Sequence, residues 1–179
     1  MQPRTLVELG THTGYSFFAF CEAARTLDTT LYAVDTWKGD EHAGFYSEHV
    51  YESVSVTCEN YPNAHLLRGL FDDHLDGFTD GTVNIIHIDG RHRFEDVEHD
   101  YRSWLPKLAP EGVVLFHDVT VEDGTFGVHI LWGQLVAEHP TLTFRHGNGL
   151  GVLAPKGVSE RLTTLFDPVN ADRIRASYT

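Results

Sequence analysis

Short apolar runs alternate with longer stretches of helical period from residue 5 to residue 154, and no other feature of the sequence restricts the fold so strongly. Thr5 to Leu9 (TLVEL) has strand character. Tyr15 to Leu27 then sets Phe17, Phe18, Phe20, Cys21, Ala24 and Leu27 on one helical face, and Leu31 to Val34 (LYAV) completes a βαβ unit. A polar, glycine-containing stretch from Lys38 to Ser47 leads into a helix carrying Val50, Tyr51, Val54 and Cys58, closed by Tyr61-Pro62. Ala64 to Arg68 reads as the third strand, Asp72 to Phe78 as a short helix, and Val83 to Ile88 (VNIIHI) as a strand buried on both faces. The next helix presents Phe94, Val97, Tyr101, Trp104, Leu105 and Leu108, and Gly112 to Phe116 (GVVLF) follows it as the fifth strand. After a helix over Gly127 to His139, Leu142 to Arg145 and Leu150 to Ala154 flank the turn His146-Gly147-Asn148-Gly149, which makes them an antiparallel hairpin. The pattern predicts one α/β domain over residues 1–155: a three-layer, mostly parallel sheet with an antiparallel C-terminal hairpin. Residues 156–179 read as a helical C-terminal extension that packs on a neighbour or links to a further segment.

Composition removes several classes of function. With 13 basic and 26 acidic residues the net charge is -13, the wrong sign for a phosphate-backbone binder. Cys21 and Cys58 have neither disulfide nor metal spacing and read as buried free thiols of a reducing compartment. The N-terminus does not look like a leader, and no apolar run reaches membrane-spanning length, so the expectation is a cytoplasmic protein without a membrane span. Twelve histidines direct attention to those at strand ends.

Ligands of open parallel sheets sit at the carboxyl ends of the strands. The first strand runs into Glu8-Leu9-Gly10-Thr11-His12-Thr13-Gly14-Tyr15-Ser16, a turn whose glycines admit close approach and whose following helix offers free N–H groups. Gly10 and Gly14 do not fit the dinucleotide pattern G-x-G-x-x-G. The second strand ends in Asp35, placed to accept hydrogen bonds from a ribose hydroxyl pair. Strand four ends in His87-Ile88-Asp89-Gly90-Arg91-His92 and strand five in His117-Asp118, so Asp89, His92, His117 and Asp118 border one cleft, as a metal site or a general base would require.

These four segments together, Glu8-Leu9-Gly10 to Gly14, Val34-Asp35-Thr36-Trp37, His87 to His92 and Phe116-His117-Asp118, resemble class I S-adenosylmethionine-dependent methyltransferases. Within that class they are most similar to the branch of macrocin-type sugar O-methyltransferases and the methyltransferase domains of bacterial polysaccharide-assembly enzymes. The resemblance implies a seven-stranded Rossmann-like sheet and a methyl transfer to a hydroxyl of a sugar or related small molecule. By the same resemblance Glu8, Gly10, Thr11, Gly14 and Ser16 surround the methionine part of the cofactor, Asp35 holds the ribose, and Trp37 with Leu70, Phe71 and Asp72 frames the adenine. It further implies a divalent metal on Asp89, His117 and Asp118, although His117 stands where an acid is expected, which shifts the preference from Mg2+ toward Mn2+ or another transition metal. His92 is assigned as the catalytic base beside Asp89. His12 replaces the middle glycine of the common turn, so the loop is expected to pass further from the cofactor. Homodimerisation, or association with a larger glycan-assembly protein, is the implied quaternary setting.

Two other readings remain open. A NAD- or nucleotide-sugar-dependent oxidoreductase agrees with the βαβ unit and the ribose acid, but lacks G-x-G-x-x-G and a Tyr-x-x-x-Lys pair. The other is a non-catalytic cofactor-binding domain of a larger carbohydrate-assembly protein. Of the remaining histidines, His42 lies in a glycine-flanked loop with the makings of a lid, His87 reads as a hydrogen-bonded core residue, and His99 as part of a solvated helix face with Glu98 and Asp100.

Overall fold

A computed structural model describes residues 3–177; the first two residues of the expected domain and the last two of the expected extension lie outside the described residues. The chain order is β1 (Thr5–Leu9), α1 (Tyr15–Ala23), β2 (Thr30–Asp35), β3 (Gly39–Asp40), β4 (Gly44–Phe45), α2 (Glu48–Cys58) and β5 (Ala64–Arg68). A 3-10 helix (Asp72–Gly77) precedes β6 (Val83–Ile88), α3 (Phe94–Trp104), β7 (Leu108–His117), α4 (Val128–Glu138), β8 (Thr141–Phe144), β9 (Leu150–Leu153), α5 (Thr163–Phe166) and α6 (Pro168–Ala176).

The main sheet has seven strands in the order β5-β2-β1-β6-β7-β9-β8. β5, β2, β1, β6 and β7 are parallel, and β9 runs against both β7 and β8. The expected hairpin therefore closes the sheet with its second strand inserted inside its first. Period-2 alternation sorts the strands' side chains between the two faces. Val7, Val34, Ile86, Val114 and Phe116 pack with Val97, Tyr101, Trp104 and Leu131 of α3 and α4. Leu6, Leu31 and Ala33 pack on the other face with Phe17, Cys21, Val54 and Cys58 of α1 and α2.

Four local expectations need correction. α1 stops at Ala23 because i→i+3 bonds from Arg25 and Leu27 tighten its end, leaving Leu27 outside the helix. β7 starts at Leu108 rather than Gly112, through a register shift between Val83 and Ile85 of its partner. The polar stretch after β2 contains the small β3–β4 hairpin. The C-terminal segment folds back on this domain: Leu162, Leu165, Phe166, Ala171 and Ile174 cover Val113, Leu142 and Val152. Among the described residues no helix is long and apolar enough to cross a membrane.

Candidate active site

The carboxyl ends of β1, β2, β6 and β7 open on a cleft of about 1060 Å³. Its first wall is the turn after β1. Gly10 adopts φ +89°, and a Cβ there would fall 2.1 Å from the carbonyl oxygen of Asp89, so only glycine lets β1 and β6 close at this point. His12 takes φ 51°, the left-handed conformation a glycine would supply, so the turn keeps a glycine-like path despite the substitution. Asp35 knits this turn to β2: its Oδ2 accepts from the backbone N–H of Thr11 (2.7 Å) and His12 (2.9 Å), and its Oδ1 from that of Trp37 (2.7 Å).

Beneath the turn, Glu8 is wholly buried, and its Oε1 lies 2.7 Å from Ser16 Oγ, which donates, and 2.9 Å from His87 Nδ1. Glu8 Oε2 and Thr11 Oγ1 are buried with no partner. His87 is thus the hydrogen-bonded histidine expected, and it lines the cleft as well. Trp37 goes elsewhere than expected. It is 1% exposed, packs on Tyr51, and donates its indole N–H to His12 O (3.0 Å), bracing the turn from below instead of lining the cleft. Its φ of 52° directs the ring into the core, a backbone feature the sequence does not display. Leu70, Phe71 and Asp72 do line the cleft, with Asp72 Oδ2 2.8 Å from His99 Nε2. His99 is therefore paired rather than simply solvated.

The opposite end gathers the titratable cluster. His92 Nε2 lies 2.9 Å from Asp118 Oδ2 and 3.7 Å from Asp89 Oδ1, while His117 Nδ1 lies 3.2 Å from Asp89 Oδ1 and 3.1 Å from Asp118 Oδ1. Ligand atoms of Asp89, His92 and Asp118 fall within 4.8 Å of one another, the spacing of groups able to share a cation. His117, expected in that set, touches both carboxylates from its side, and His92 occupies the third corner. Burial alone would raise Asp89 and lower His92, but the contacts win: both imidazoles hold the Asp89 carboxyl well below the usual carboxylate range. Asp118 and Asp89 raise His92 to about 9, and His117 is raised as well, chiefly by Asp89.

Beside this cluster and along the cleft stand Phe126 and Tyr46, which the sequence does not mark as site residues, and His42, which it marks as a lid candidate. Phe126 stacks on His92 with centroids 4.7 Å apart. His42, the lid histidine, packs against both rings and its Nε2 lies 2.7 Å from Thr125 Oγ1, so the β3–β4 hairpin is strapped to the loop after β7. Tyr46, stacked on His12, lines the cleft near Asp35, Asp40 and Asp89; burial and those carboxylates push its hydroxyl up to about 12. Asp100 of α3 also lines the cleft and is 8% exposed, in contrast to the solvated face expected for it. Its signal was available: it falls three residues after Val97 and four before Trp104, on the helix's buried stripe.

Comparison with known proteins bears on the fold and the family. An uncharacterised protein of Sinorhizobium fredii, y4gI, is 47% identical over 169 residues, a match covering 92% of this chain and 19% of that protein. The chain thus spans about a fifth of that relative's length. Among solved structures, a candidate caffeoyl-CoA O-methyltransferase of Staphylococcus aureus superposes with a TM-score of 0.65 at 15% identity, over 87% of this chain and 77% of that one. The O-methyltransferase TomG of Streptomyces achromogenes, in complex with S-adenosylmethionine, gives 0.58 at 18% identity, over 87% and 74%. These likenesses establish the fold. A sequence profile described as a methyltransferase domain matches residues 7–119, and the chain belongs to that methyltransferase domain family.

Proposed function

We propose that this domain is an S-adenosylmethionine-dependent O-methyltransferase acting on a hydroxyl of a sugar or related small molecule, with a divalent cation assisting. The observation that carries the reading is the convergence of Asp89, His92 and Asp118 at the ends of β6 and β7, one strand from the glycine turn after β1.

The turn fits an amino-acid end of the cofactor. Thr11 and Ser16 line the cleft, Thr11 Oγ1 has no partner, and the N-terminus of α1 has no side-chain cap, so donors for a carboxylate are in hand, while Glu8, expected at the methionine end, lies behind the lining. Glu8 accepts from Ser16 Oγ and holds it from below, Gly10 lets β6 close against the turn, and Gly14 leaves room for the Phe18 ring. Asp35 Oδ1 accepts one bond and retains capacity for a ribose hydroxyl, with Leu70, Phe71 and Asp72 beyond it for the adenine. Trp37 serves this site through His12, without touching the ligand. S-adenosylmethionine, when bound, supplies the electrophilic sulfonium methyl.

Asp89, Asp118 and the His117 imidazole form a mixed oxygen and nitrogen set that suits Mn2+ and related ions as well as Mg2+, and this set leaves His92 Nε2 outside the coordination. A cation there would act as a Lewis acid toward an acceptor hydroxyl. His92 is the base, three residues past Asp89, and would take the hydroxyl proton at Nε2. Between two bare carboxylates it is held protonated, so it becomes a base only once their charge is neutralised. Because the chain matches 19% of y4gI, the reading includes work beside further domains of a glycan-assembly protein, with homodimerisation as the other arrangement.

Calorimetric titration of S-adenosylmethionine, with Mg2+, with Mn2+ and with chelator, and with NAD as control, tests this. Micromolar binding of S-adenosylmethionine, alone or with a metal, is expected. Silence toward it while NAD binds would replace the reading by an oxidoreductase.

A further inference from the structure

Asp100 is a buried carboxyl without a partner. It sits on α3, 8% exposed, in a stripe where Val97, Tyr101 and Trp104 pack into the core. Among the described residues no group hydrogen-bonds it or forms an ion pair with it. It nevertheless lines the cleft. Its oxygens are not sealed within the protein but open onto the cleft, so a donor entering there meets a carboxyl that no protein group has engaged.

The surroundings narrow the ligand's chemistry. A Cβ on Gly90 would stand 2.6 Å from the Phe71 ring and 3.4 Å from Asp100 Oδ2, so ring and carboxyl converge on the bare α-carbon of Gly90. Leu70 stands beside them, 62% exposed, another apolar surface lining the cleft. Asp72, one of the residues expected to frame the adenine, is already engaged by His99 at 2.8 Å. Asp96 and His99 on α3 and Asp72 across from it are the charged groups acting on Asp100; burial, with the two carboxylates, outweighs His99 and pushes it up to about 7. Apolar surfaces beside one buried hydrogen-bonding group match a planar heteroaromatic with a single exocyclic donor.

We infer that Asp100 reads the cofactor's adenine, accepting a hydrogen bond from its exocyclic amine. This rests on the reading of the cleft as an S-adenosylmethionine site. Asp100 acts in binding and touches none of the reacting atoms.

The test is a calorimetric cycle using S-adenosylhomocysteine and its N6,N6-dimethyl analogue, which has no amine hydrogen to donate. The unaltered protein is expected to bind the analogue at least about tenfold more weakly. Asp100→Ala should bind S-adenosylhomocysteine about tenfold more weakly and no longer tell the two ligands apart. Asp100→Asn keeps a carbonyl acceptor and should stay within about threefold of the unaltered protein. Thermal melts confirm that the variants are folded. If Asp100→Ala keeps both the affinity and the discrimination, the inference is overturned while the cofactor reading stands. If the unaltered protein binds neither ligand, both fall.

Discussion

At Asp118 the backbone takes φ 58°, and His12 and Trp37 take 51° and 52°, so a non-glycine residue in the left-handed region stands just past each of β1, β2 and β7. Each such residue costs about 1–3 kcal/mol and persists where its surroundings impose it. The same rim carries the buried polarity, and Asp100 gives that polarity a measurable consequence. Its carboxyl is raised from an ordinary 3.8 to about 7, mainly by burial. Below about pH 3 the folded and unfolded chains both hold the proton and nothing is lost. As pH rises the unfolded chain ionises first, so stability falls until the folded carboxyl ionises near 7 and the loss levels off, at roughly 4 kcal/mol as an upper bound. Asp100→Asn should therefore melt with the unaltered protein at pH 3 and roughly 5–10 °C above it at pH 8. An equal offset at both pH values would show that ionisation plays no part. Asp35, Asp89 and Asp118 were legible because strand ends of a parallel sheet share one edge. Asp100 was hidden by its polar neighbours Glu98 and His99, and Trp37 by a φ value that only the folded backbone reveals.

Regular elements are legible in the sequence where periodicity is long, and hidden where tertiary contacts make the element. β3 and β4 are two residues each and exist because Gly39 and Gly44 turn the chain while Glu41 reaches Arg93 at 2.6 Å and His42 reaches Thr125. None of these contacts is local. The C-terminal segment is similar: α5 has four residues and α6 nine, too short for an amphipathic signal to stand out, although Asp167-Pro168 marks the start of α6 by a cap and a first-turn proline. What holds the segment is the patch of Val113, Leu142 and Val152 beneath it, with Arg175 Nε donating to Thr143 O at 2.8 Å. Phe166→Ala and Ile174→Ala should each cost about 1–3 kcal/mol, less than a fully buried site because both side chains are partly exposed. Denaturant melts measure this directly, and S-adenosylhomocysteine affinity serves as the control, since neither residue lines the cleft. Unchanged melts would mean that the segment is detached in solution.

On the scale of the whole molecule, the βα alternation was enough to name a parallel three-layer sheet, but not to place β9 between β7 and β8, since strand order at an edge depends on which partner buries more surface. Charge, by contrast, can be summed from the sequence. The net value of -13 is concentrated to some effect around the cleft, where Asp35, Asp40, Asp89 and Asp118 face only Lys38 and Arg91 as permanently charged cations in the lining. A cleft walled by low-dielectric protein focuses such a field. S-adenosylmethionine carries one net positive charge through its sulfonium, whereas S-adenosylhomocysteine, having lost the methyl, is a neutral zwitterion. The field should therefore favour the donor over its product, and salt should weaken the donor selectively. Between about 20 and 300 mM salt the Debye length shortens from roughly 20 to 6 Å. The Kd for S-adenosylmethionine is expected to rise several-fold over that range, and that for S-adenosylhomocysteine by less than about twofold. Parallel salt dependence of the two ligands would mean that the acidic rim is neutralised by its own histidines or by a bound cation. Repeating the titration with chelator separates those two causes, because chelator restores the difference only in the second.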